Sequence, residues 1–539
     1  MVDLEHPNRR EFVGMGLAGL ATAALPRMAS AALTPARRPN VVVFISDDQS
    51  EEDFGCLGGN ALTPNFDRLA AQGMTFTNAH VSSSVCSPSR YALLTGRYGG
   101  SCTSESFVRT HRPGTMTRVE NNVELEPDRG NLPRMLQQAG YRTGFVGKSH
   151  ITHHGVLNRP QDWPDHGLET YARDADPRDP AVSAKMRHNH GWWAQRMQEH
   201  GFDEANAVYA GNLRELYNEH ANVHNLEWTT HAACQFMERN KEQPFFLYVA
   251  TTMPHGPYPW IQQNGKHPYS LDADPKITGA GYGDEHLGVM PTRQSVKDRV
   301  AAAGLDVRRR HHATWMDDAA GAMLNKLESL GIADDTLFLF LADHGSRRHG
   351  KTTCYDNGVK VPMFARYPRL IKPGSTCDEL VQNIDFAPTV LDLAGVPKDD
   401  ADHDGASFSH VLGDSKAAHH DDLFFELGFS RGVKTKRWKY IAIRYPERVQ
   451  AQIARGEPFA GWQGSEVPNP YLTRNQHLGF HAAKVNPNYF DLDQLYDLDA
   501  DPREERNIAA DHPEVIEAMK ARLAKHLGGF ENRPFGEFT

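Results

Sequence analysis

The sequence predicts an α/β protein in which a large mixed sheet is sandwiched by helices and followed by a smaller C-terminal antiparallel α+β subdomain. Three observations support this fold class. Continuous apolar runs, typical of strands buried on both faces, recur at residues 40–45, 141–147, 245–250 and 336–341. Helical segments with capping residues and glycine stops lie between these runs, which is the order of crossover units. The C-terminal part of the chain has short strands followed by one closing helix, which is typical of a separate antiparallel module.

Composition limits the classes of function. The 539-residue chain has 39% hydrophobic and 23% charged residues, which is ordinary for a globular protein. Its formal net charge of −10 leaves no basic excess to neutralise phosphates, so we expect no nucleic-acid partner. Six cysteines stand at wide and irregular spacing, which does not indicate a disulfide framework.

The first residues carry an export signal. Residues 8–13, Asn-Arg-Arg-Glu-Phe-Val, resemble a twin-arginine motif, residues 14–25 form a short apolar run, and residues 29–31 form a small-x-small cleavage pattern. We therefore expect a twin-arginine-type signal peptide at residues 1–31 and a periplasmic or secreted mature protein. The alternative is an irregular cytosolic N-terminus. The apolar run is too short to span a bilayer and no later run is long enough, so we expect no stable membrane insertion.

The first buried strand, at residues 40–45, is followed closely by two adjacent carboxylates, Asp47 and Asp48. Open α/β sheets bind ligands at the carboxyl ends of their strands, and two adjacent charges repel unless a cation lies between them. A hard divalent ion, Ca²⁺ or Mg²⁺, suits such ligands. The alternative is a pair of turn or helix-capping aspartates.

A helix starting at residues 63–70 and a strand at residues 73–80 then lead to Cys86. Pro88 favours the first turn of a helix and Gly96 favours its end, so we place Cys86 at a helix N-terminus. Backbone N–H groups and the positive end of the helix dipole stabilise an anionic group there. Cys86 is therefore a candidate anion-handling cysteine, and the alternative is a small buried hydrophobic residue.

Two later strands also end in groups that suit an anion. The run at residues 141–147 leads to Lys148 and His150, which point to one face of an extended chain because they alternate. The run at residues 245–250 leads to His255. A cation and proton acceptors at strand ends suit an anionic substrate, whereas the alternatives are an exposed loop pair and a structural histidine.

The last buried run, at residues 336–341, ends in Asp343 and His344, and Lys351 follows. These side chains stand where a doubly wound sheet collects its ligands, as do those that follow the earlier strands.

Residues 152–227 are polar and irregular, so we expect an insertion rather than core. Four of its side chains, His153, His154, Trp192 and Trp193, suit contact with a saccharide, because aromatic faces and hydrogen-bonding groups bind sugars. The alternative places the tryptophans in the core.

Several short motifs stand together in one order. Cys-x-Pro-x-Arg at residues 86–90, followed by Leu-x-Thr-Gly-Arg at residues 93–97, resembles the signature of the type I sulfatases. Gly-Lys-x-His at residues 147–150 and Pro-His-x-Pro at residues 254–257 are similar to further motifs of that family and follow its order. The resemblance covers essentially the whole mature chain except the middle segment.

The resemblance implies an alkaline-phosphatase-like fold with a catalytic domain at residues 38–412 and the α+β subdomain at residues 413–539. It also implies that a maturation enzyme oxidises Cys86 to formylglycine and that one divalent cation is bound, Ca²⁺ in the first place, with Mg²⁺ or Mn²⁺ as alternatives. The implied metal ligands are Asp47, Asp48, Cys86, Asp343 and His344. His344 departs from the pattern, since many members have Asn there and imidazole is a softer ligand than Ca²⁺ prefers.

The resemblance implies a role for each further site residue. The implied catalytic residues are Cys86, Arg90, Lys148, His150, His255 and Lys351. Hydrated formylglycine would attack sulfur, Lys148 and Lys351 would hold the sulfate oxygens, and Arg90 would orient the nucleophile. His255 would protonate the leaving group, and His150 would take the proton from the second hydroxyl.

The implied function is hydrolysis of sulfate esters on sulfated saccharides, such as polysaccharide or glycosaminoglycan fragments. Three alternatives stay open: a phosphonate or phosphate ester hydrolase of the same superfamily, an N-sulfoglucosamine sulfohydrolase, and a non-catalytic saccharide-binding relative. The last is disfavoured because no catalytic position is lost. The sulfated position, exo or endo action and the oligomeric state do not follow from the sequence.

Overall fold

The computed structural model describes residues 38–538 with internal gaps. The gaps are residues 153–155, 157–158, 258–268, 284–286, 306, 347–349, 398–402, 446, 448–450, 452–453 and 456–485. The expected signal peptide, residues 1–31, and two of the expected sugar-binding residues, His153 and His154, lie outside the described residues. In the part of the chain that is described, no helix is both long enough and apolar enough to cross a membrane.

The strands form one large mixed sheet and several smaller ones. In chain order they are β1 (Asn40–Asp47), β2 (Met74–Phe76), β3 (Ala79–His80), β4 (Arg142–Lys148), β5 (Glu204–Tyr209), β6 (Phe245–Pro254), β7 (Ile277–Thr278), β8 (Gly281–Tyr282), β9 (Thr336–Ala342), β10 (Met363–Arg366), β11 (Ser375–Cys377), β12 (Val381–Gln382), β13 (Leu423–Leu427), β14 (Ser430–Lys434), β15 (Trp438–Ile443) and β16 (Asp493–Asp497). The large sheet has the order β11-β2-β10-β9-β1-β6-β4-β5. Strands β9, β1, β6, β4 and β5 are parallel, whereas β10 is antiparallel to both its neighbours.

Helices cover both faces of this sheet, and the last described helix packs on the small C-terminal sheet. They are α1 (Pro64–Gln72), α2 (Cys86–Thr95), α3 (Glu105–Thr110), α4 (Leu132–Gln138), α5 (Pro180–Glu199), α6 (Leu226–Asn240), α7 (Arg293–Ala302), α8 (Val307–Ser329), α9 (Asp356–Val359), α10 (Phe386–Leu393), α11 (Ser409–Gly413) and α12 (Pro513–Leu527). Because side chains alternate along a strand, Val41, Val43 and Ile45 of β1 share one apolar core with α2 and α10. Val42 and Phe44 share the opposite core with α6 and α8. The structure thus confirms the predicted fold class.

The middle segment, residues 152–227, is part of the core, and the expectation of an insertion is wrong. Strand β5 pairs with β4 and extends the large sheet. Helix α5 buries Trp193, which is 6% exposed, in the same apolar core as Phe145 of β4. Trp192 is only partly buried, and its ring centroid lies 4.9 Å from Arg196 Cζ. The segment has a polar sequence because α5 and β5 each bury only some of their residues. Trp193 is one of the buried residues, so it is not available to a sugar.

The C-terminal strands form the predicted small antiparallel module. Its sheet has the order β13-β14-β15-β16, and every neighbouring pair is antiparallel. Helix α12 packs on this sheet through Ile516 and Leu523, which share an apolar core with Tyr440 and Leu495. The segment Arg38–Thr539 forms one compact unit. The expected boundary between residues 412 and 413 stays a prediction.

One acidic side chain ties this module to the main sheet. Asp356, the first residue of α9, accepts hydrogen bonds from Lys434 Nζ at 2.5 Å and Lys439 Nζ at 2.7 Å. The two lysine side chains are 4% and 0% exposed. Charges this deeply buried depend on one another, because each would be costly without a partner.

We expect Asp356→Ala to lower the free energy of unfolding by about 3–5 kcal/mol, since removing one member of a buried ion pair leaves uncompensated charge. Chemical denaturation followed by circular dichroism measures the change. Glu238→Ala is the control, because it breaks an exposed ion pair with Lys326 and is expected to have little effect. Equal losses in the two variants would contradict the assignment.

Candidate active site

Several strand ends and one helix start meet at the same edge of the large sheet. Asp47 is the last residue of β1, Lys148 is the last residue of β4, and Asp343 and His255 directly follow β9 and β6. These four strands are adjacent and parallel, so their carboxyl ends lie together. Cys86 is the first residue of α2, at a helix N-terminus as predicted.

Cys86 lies among these groups and is 1% exposed. Its Sγ is 3.3 Å from His344 Nε2 and 3.5 Å from Asp47 Oδ1. Lys148 Nζ and Lys351 Nζ lie 3.5 Å and 3.8 Å from the same sulfur. Burial raises the pKa of the Cys86 thiol, and Asp47 adds to this effect while the two lysines oppose it. The unmodified side chain is therefore a neutral thiol enclosed by charged groups.

The predicted metal ligands lie close together. Asp47, Cys86, Asp343 and His344 each offer one ligand atom, and these atoms lie within 4.8 Å of one another. Asp48 joins Asp47 and Cys86 in a second group that meets the same limit. Asp48 has φ 65°, a strained conformation for a residue with a side chain, and strain of this kind collects at functional sites. The three carboxylates supply the hard oxygen donors that Ca²⁺ and Mg²⁺ take, so the residues fit one divalent cation.

The hydrogen bonding of His344 supports this fit. Its Nδ1 lies 2.9 Å from the carbonyl oxygen of Gly345. A carbonyl oxygen only accepts, so we place a proton on Nδ1, which leaves Nε2 as the ring nitrogen that can bind a metal through its lone pair. Nε2 lies 3.5 Å from Asp48 Oδ1 and 3.5 Å from Asp343 Oδ1. A lone pair that faces carboxylate oxygens is unfavourable unless a cation lies between them.

Three basic side chains contact the three carboxylates. The pairs are Lys148 Nζ with Asp47, Lys351 Nζ with Asp48 Oδ1 at 2.6 Å, and Arg90 Nη2 with Asp343 Oδ2 at 2.9 Å. Arg90 also donates through Nη1 to the carbonyl oxygen of Lys148 at 3.1 Å. Arg90 thus orients a predicted metal ligand and the backbone at the end of β4.

The pKa values of two of the carboxyl groups reflect how strongly these cations stabilise the carboxylate charges. Burial alone would raise the pKa of Asp47, but Lys148, His255 and Arg90 together hold it well below its usual value. Burial and the neighbouring Asp47 raise the pKa of Asp343 despite Arg90. The protein's own cations therefore leave Asp343 incompletely compensated, which is the situation that a bound divalent cation relieves.

The two predicted histidines follow the ends of β6 and β4. His255 Nε2 lies 3.9 Å from Asp48 Oδ2, and burial lowers the pKa of His255 to about 3 although Asp48 opposes the change. His150 is 3% exposed and has φ 56°, and its backbone N–H donates to the carbonyl oxygen of Ala210 at 3.0 Å. The structure brings His255 into the cluster, and it places His150 two residues beyond Lys148.

Sequence reasoning missed Asn212. Its Oδ1 accepts a hydrogen bond from Lys148 Nζ at 2.8 Å. Its Nδ2 and backbone N–H donate to the carboxylate of Glu215 at 3.0 Å and 2.8 Å. The Asn-x-x-Glu spacing signals this reciprocal cap, but nothing in the sequence connects the cap to Lys148. Asn212 and Asp47 thus both accept hydrogen bonds from the ammonium group of Lys148.

We expect Asp343→Asn to remove a bound divalent cation, because the substitution keeps the side-chain shape and removes one charged ligand. Purified protein is dialysed against Ca²⁺ and then against metal-free buffer, and calcium is counted by mass spectrometry. One ion per chain is expected in the unsubstituted protein. Asp404→Asn is the control, since Asp404 is an exposed acid that accepts a hydrogen bond from the Tyr98 backbone outside the cluster. Equal calcium content in Asp343→Asn and the unsubstituted protein would contradict the site.

Curated relatives match most of the chain. An ulvan-active sulfatase of Formosa agariphila is 26% identical over 501 residues, which cover 91% of this chain and 79% of that protein. An N-acetylglucosamine-6-O-sulfatase of Bacteroides thetaiotaomicron is 25% identical, and the aligned residues cover 91% of this chain and 86% of that protein. Arylsulfatase A of Homo sapiens is 27% identical, with 91% and 88% covered.

Solved structures share the fold. A Bacteroides thetaiotaomicron protein from a study of glycosaminoglycan metabolism has a TM-score of 0.59 at 21% identity and covers 91% of this chain and 99% of its own. A protein in complex with its substrate D-glucosamine-2-N,6-O-disulfate has a TM-score of 0.58 at 20% identity and covers 93% of this chain and 99% of its own.

Family models agree with these matches. The model described as N-sulphoglucosamine sulphohydrolase, C-terminal, matches residues 344–452. The sulfatase model matches residues 39–396, which hold every predicted site residue. The chain therefore belongs to the sulfatase family, as a type I sulfatase of the alkaline-phosphatase-like superfamily and thus a sulfuric ester hydrolase.

Proposed function

We propose that this protein hydrolyses sulfate esters of sulfated saccharides outside the cytosol, using an oxidised Cys86. One observation carries the proposal: Cys86 Sγ lies at 3.5 Å and 3.8 Å from the ammonium groups of Lys148 and Lys351 and at 3.5 Å from Asp47. Cations on two sides suit the oxygens of a bound sulfate group, and the carboxylates suit a divalent metal beside it.

The unmodified thiol does not suit this chemistry. Its raised pKa keeps it protonated at neutral pH, and a neutral thiol is a weak nucleophile. Oxidation to formylglycine by a maturation enzyme would replace the thiol with an aldehyde, whose hydrate supplies an oxygen nucleophile at the same place. The divalent cation, for which we propose Ca²⁺, would offset negative charge at this position when bound.

The remaining side chains would bind the substrate and move protons. Lys148 and Lys351 would hold the sulfate oxygens and offset the charge that develops on them. We propose that His255 donates a proton to the leaving oxygen of the sugar, which requires that the negative charge of a bound sulfate group raise the lowered pKa of this histidine. His150 would accept the proton that must be lost before sulfate departs. Arg90 would keep Asp343 in place through its hydrogen bonds.

The saccharide substrate is proposed by analogy with the relatives. Several are named for sulfated sugars: ulvan, N-acetylglucosamine 6-sulfate and N-acetylgalactosamine 6-sulfate. The match of residues 344–452 to the C-terminal model of N-sulphoglucosamine sulphohydrolase favours a second candidate, cleavage of an N-sulfate.

The proposed location depends on the N-terminal sequence. Residues 8–13 and 29–31 fit a twin-arginine signal with its cleavage site, which predicts a periplasmic or secreted protein. Twin-arginine export carries folded proteins, so Cys86 oxidation and metal loading would be completed before export.

A panel of substrates tests the reaction class. Protein produced with a formylglycine-generating enzyme is incubated with an aryl sulfate, an aryl phosphonate ester, and glucosamines carrying 6-O-sulfate or N-sulfate. Released sulfate is measured for the sulfated compounds, and released phenol is measured for the phosphonate ester. We expect sulfate release from an O-sulfated saccharide. Cys86→Ala should abolish turnover, whereas Cys234→Ala, which also removes a buried thiol, should not. Efficient turnover of the phosphonate with no sulfate released from any saccharide would replace the proposal with a small-molecule hydrolase.

We expect Asn212→Ala to lower kcat/KM by about 10-fold, because Lys148 loses a buried acceptor that orients its ammonium group. Steady-state kinetics on the best substrate of the panel measures the change. Asn218→Ala is the matched control: Asn218 is also a buried asparagine of the middle segment, and its Nδ2 donates to the carbonyl oxygen of Ala175. An unchanged kcat/KM in Asn212→Ala would show that Asp47 alone is sufficient to position Lys148.

A further inference from the structure

A second group of metal-ligating side chains lies outside the active site. Asp385 is the last residue of a helical turn, Asn383–Asp385, that leads directly into α10. His419 and His420 lie in the connection between α11 and β13, the first strand of the C-terminal sheet. The three side chains thus join the main domain to the chain that enters the C-terminal module.

Their ligand atoms are close enough to share one ion. One atom from each of the three side chains lies within 4.8 Å of the others. His420 Nε2 is 2.9 Å and 3.0 Å from the two carboxylate oxygens of Asp385, and His419 Nε2 is 3.4 Å from Oδ2. Zinc bonds of about 2.0–2.1 Å in a tetrahedral arrangement separate neighbouring ligand atoms by about 3.3 Å. The contacts of Asp385 with both rings are close to that spacing before any adjustment.

His419 supplies an independent observation. Its side chain is only 3% exposed, and within the described residues its Nε2 makes no hydrogen bond, although it faces Asp385. It contacts Asp385 Oδ2 at 3.4 Å without forming a hydrogen bond, and a buried nitrogen that lacks a well-formed hydrogen bond is costly. A bound cation would accept the lone pair of this nitrogen and remove that cost.

The carboxylate of Asp385 is fixed in place and charged. The backbone N–H groups of Gln382 and Ala406 donate to its Oδ2 and Oδ1 at 2.8 Å and 2.9 Å. Two backbone donors favour the charged form of a carboxyl group. Hydrogen bonds of this kind hold a metal-binding carboxylate in orientation.

We propose that Asp385, His419 and His420 form a zinc site that is distinct from the catalytic centre. The ion would link the segment that leads into β13, the first strand of the C-terminal sheet, to the start of α10. Two imidazoles and one carboxylate suit Zn²⁺, whereas the carboxylate-rich catalytic group suits a harder ion. The His420 side chain is 22% exposed, so an ion can enter from solvent and water can take the fourth position. The site has a structural role, because the residues lie on segments that meet between two parts of the fold.

Zn²⁺ titration by calorimetry tests the site. The full chain is used with Ca²⁺ in excess to occupy the catalytic centre, and the titration is repeated on Asp47→Asn to separate the two centres. We expect one Zn²⁺ per chain to bind in both proteins and to raise their melting temperature. No binding in either protein would overturn the proposal and would leave a hydrogen-bonded Asp385–His420 pair as the function of these residues.

Substitution of the ligands locates the binding. His419→Gln combined with His420→Gln should weaken Zn²⁺ binding by about 100-fold or more, since even outer-shell partners of a metal contribute 10–100-fold. His410→Gln is the matched control: the ring centroid of His410 lies 5.3 Å from that of His419, but its Nε2 contacts the carbonyl oxygen of Ala418. Unchanged binding in the double variant would overturn the proposal. If that variant does not fold, a zinc-edge anomalous peak beside Asp385 in crystals of the unsubstituted protein decides instead, and its absence contradicts the site.

Discussion

The structure depends on the presence of three buried carboxylates at one edge of the sheet. Asp47, Asp48 and Asp343 are each at most 2% exposed. The free-energy cost of burying three negative charges would be very large without positive charges nearby. The protein supplies compensation through Lys148, Lys351 and Arg90. Burial and the neighbouring Asp47 raise the pKa of Asp343 despite these cations, and a bound divalent cation would oppose that effect. Two of these cations, Lys148 and Lys351, are also the groups that we propose to hold an anionic substrate.

The strands, helix α2 and the C-terminal module hold these charged side chains in their positions. Parallel pairing of β9, β1 and β6 fixes the aspartates relative to one another, and α2 brings Cys86 to them. The loop that carries Lys351 is held on two sides. On one side, the backbone N–H of Thr352 donates to the carbonyl oxygen of Ser84, two residues before Cys86, at 3.1 Å. On the other side, Asp356 accepts hydrogen bonds from buried lysines of the C-terminal sheet. The C-terminal module therefore supports the active site without contributing a predicted catalytic residue.

Continuous apolar runs and strand-end motifs were sufficient to predict the large mixed sheet, the small antiparallel module and the gathering of the acidic and basic residues. These features are local in sequence, and the parallel topology brings strand ends together by itself. The middle segment was misjudged because α5 and β5 bury only part of their surface, so Trp193 was grouped with sugar-binding residues. Asn212 and the group around Asp385 are contacts between distant segments, and no local pattern marks them. The catalytic and metal-binding roles of the site residues, His150 included, stay predictions from the family resemblance.

The central claim is that Cys86 is the nucleophile precursor rather than a buried structural cysteine. The most direct measurement is mass spectrometry of the tryptic peptide spanning residues 69–90, taken from active protein produced with a formylglycine-generating enzyme. The account predicts a peptide in which an aldehyde has replaced the thiol of Cys86, in proportion to the specific activity of each preparation. Full sulfatase activity in a preparation whose Cys86 is entirely an unmodified thiol would contradict it.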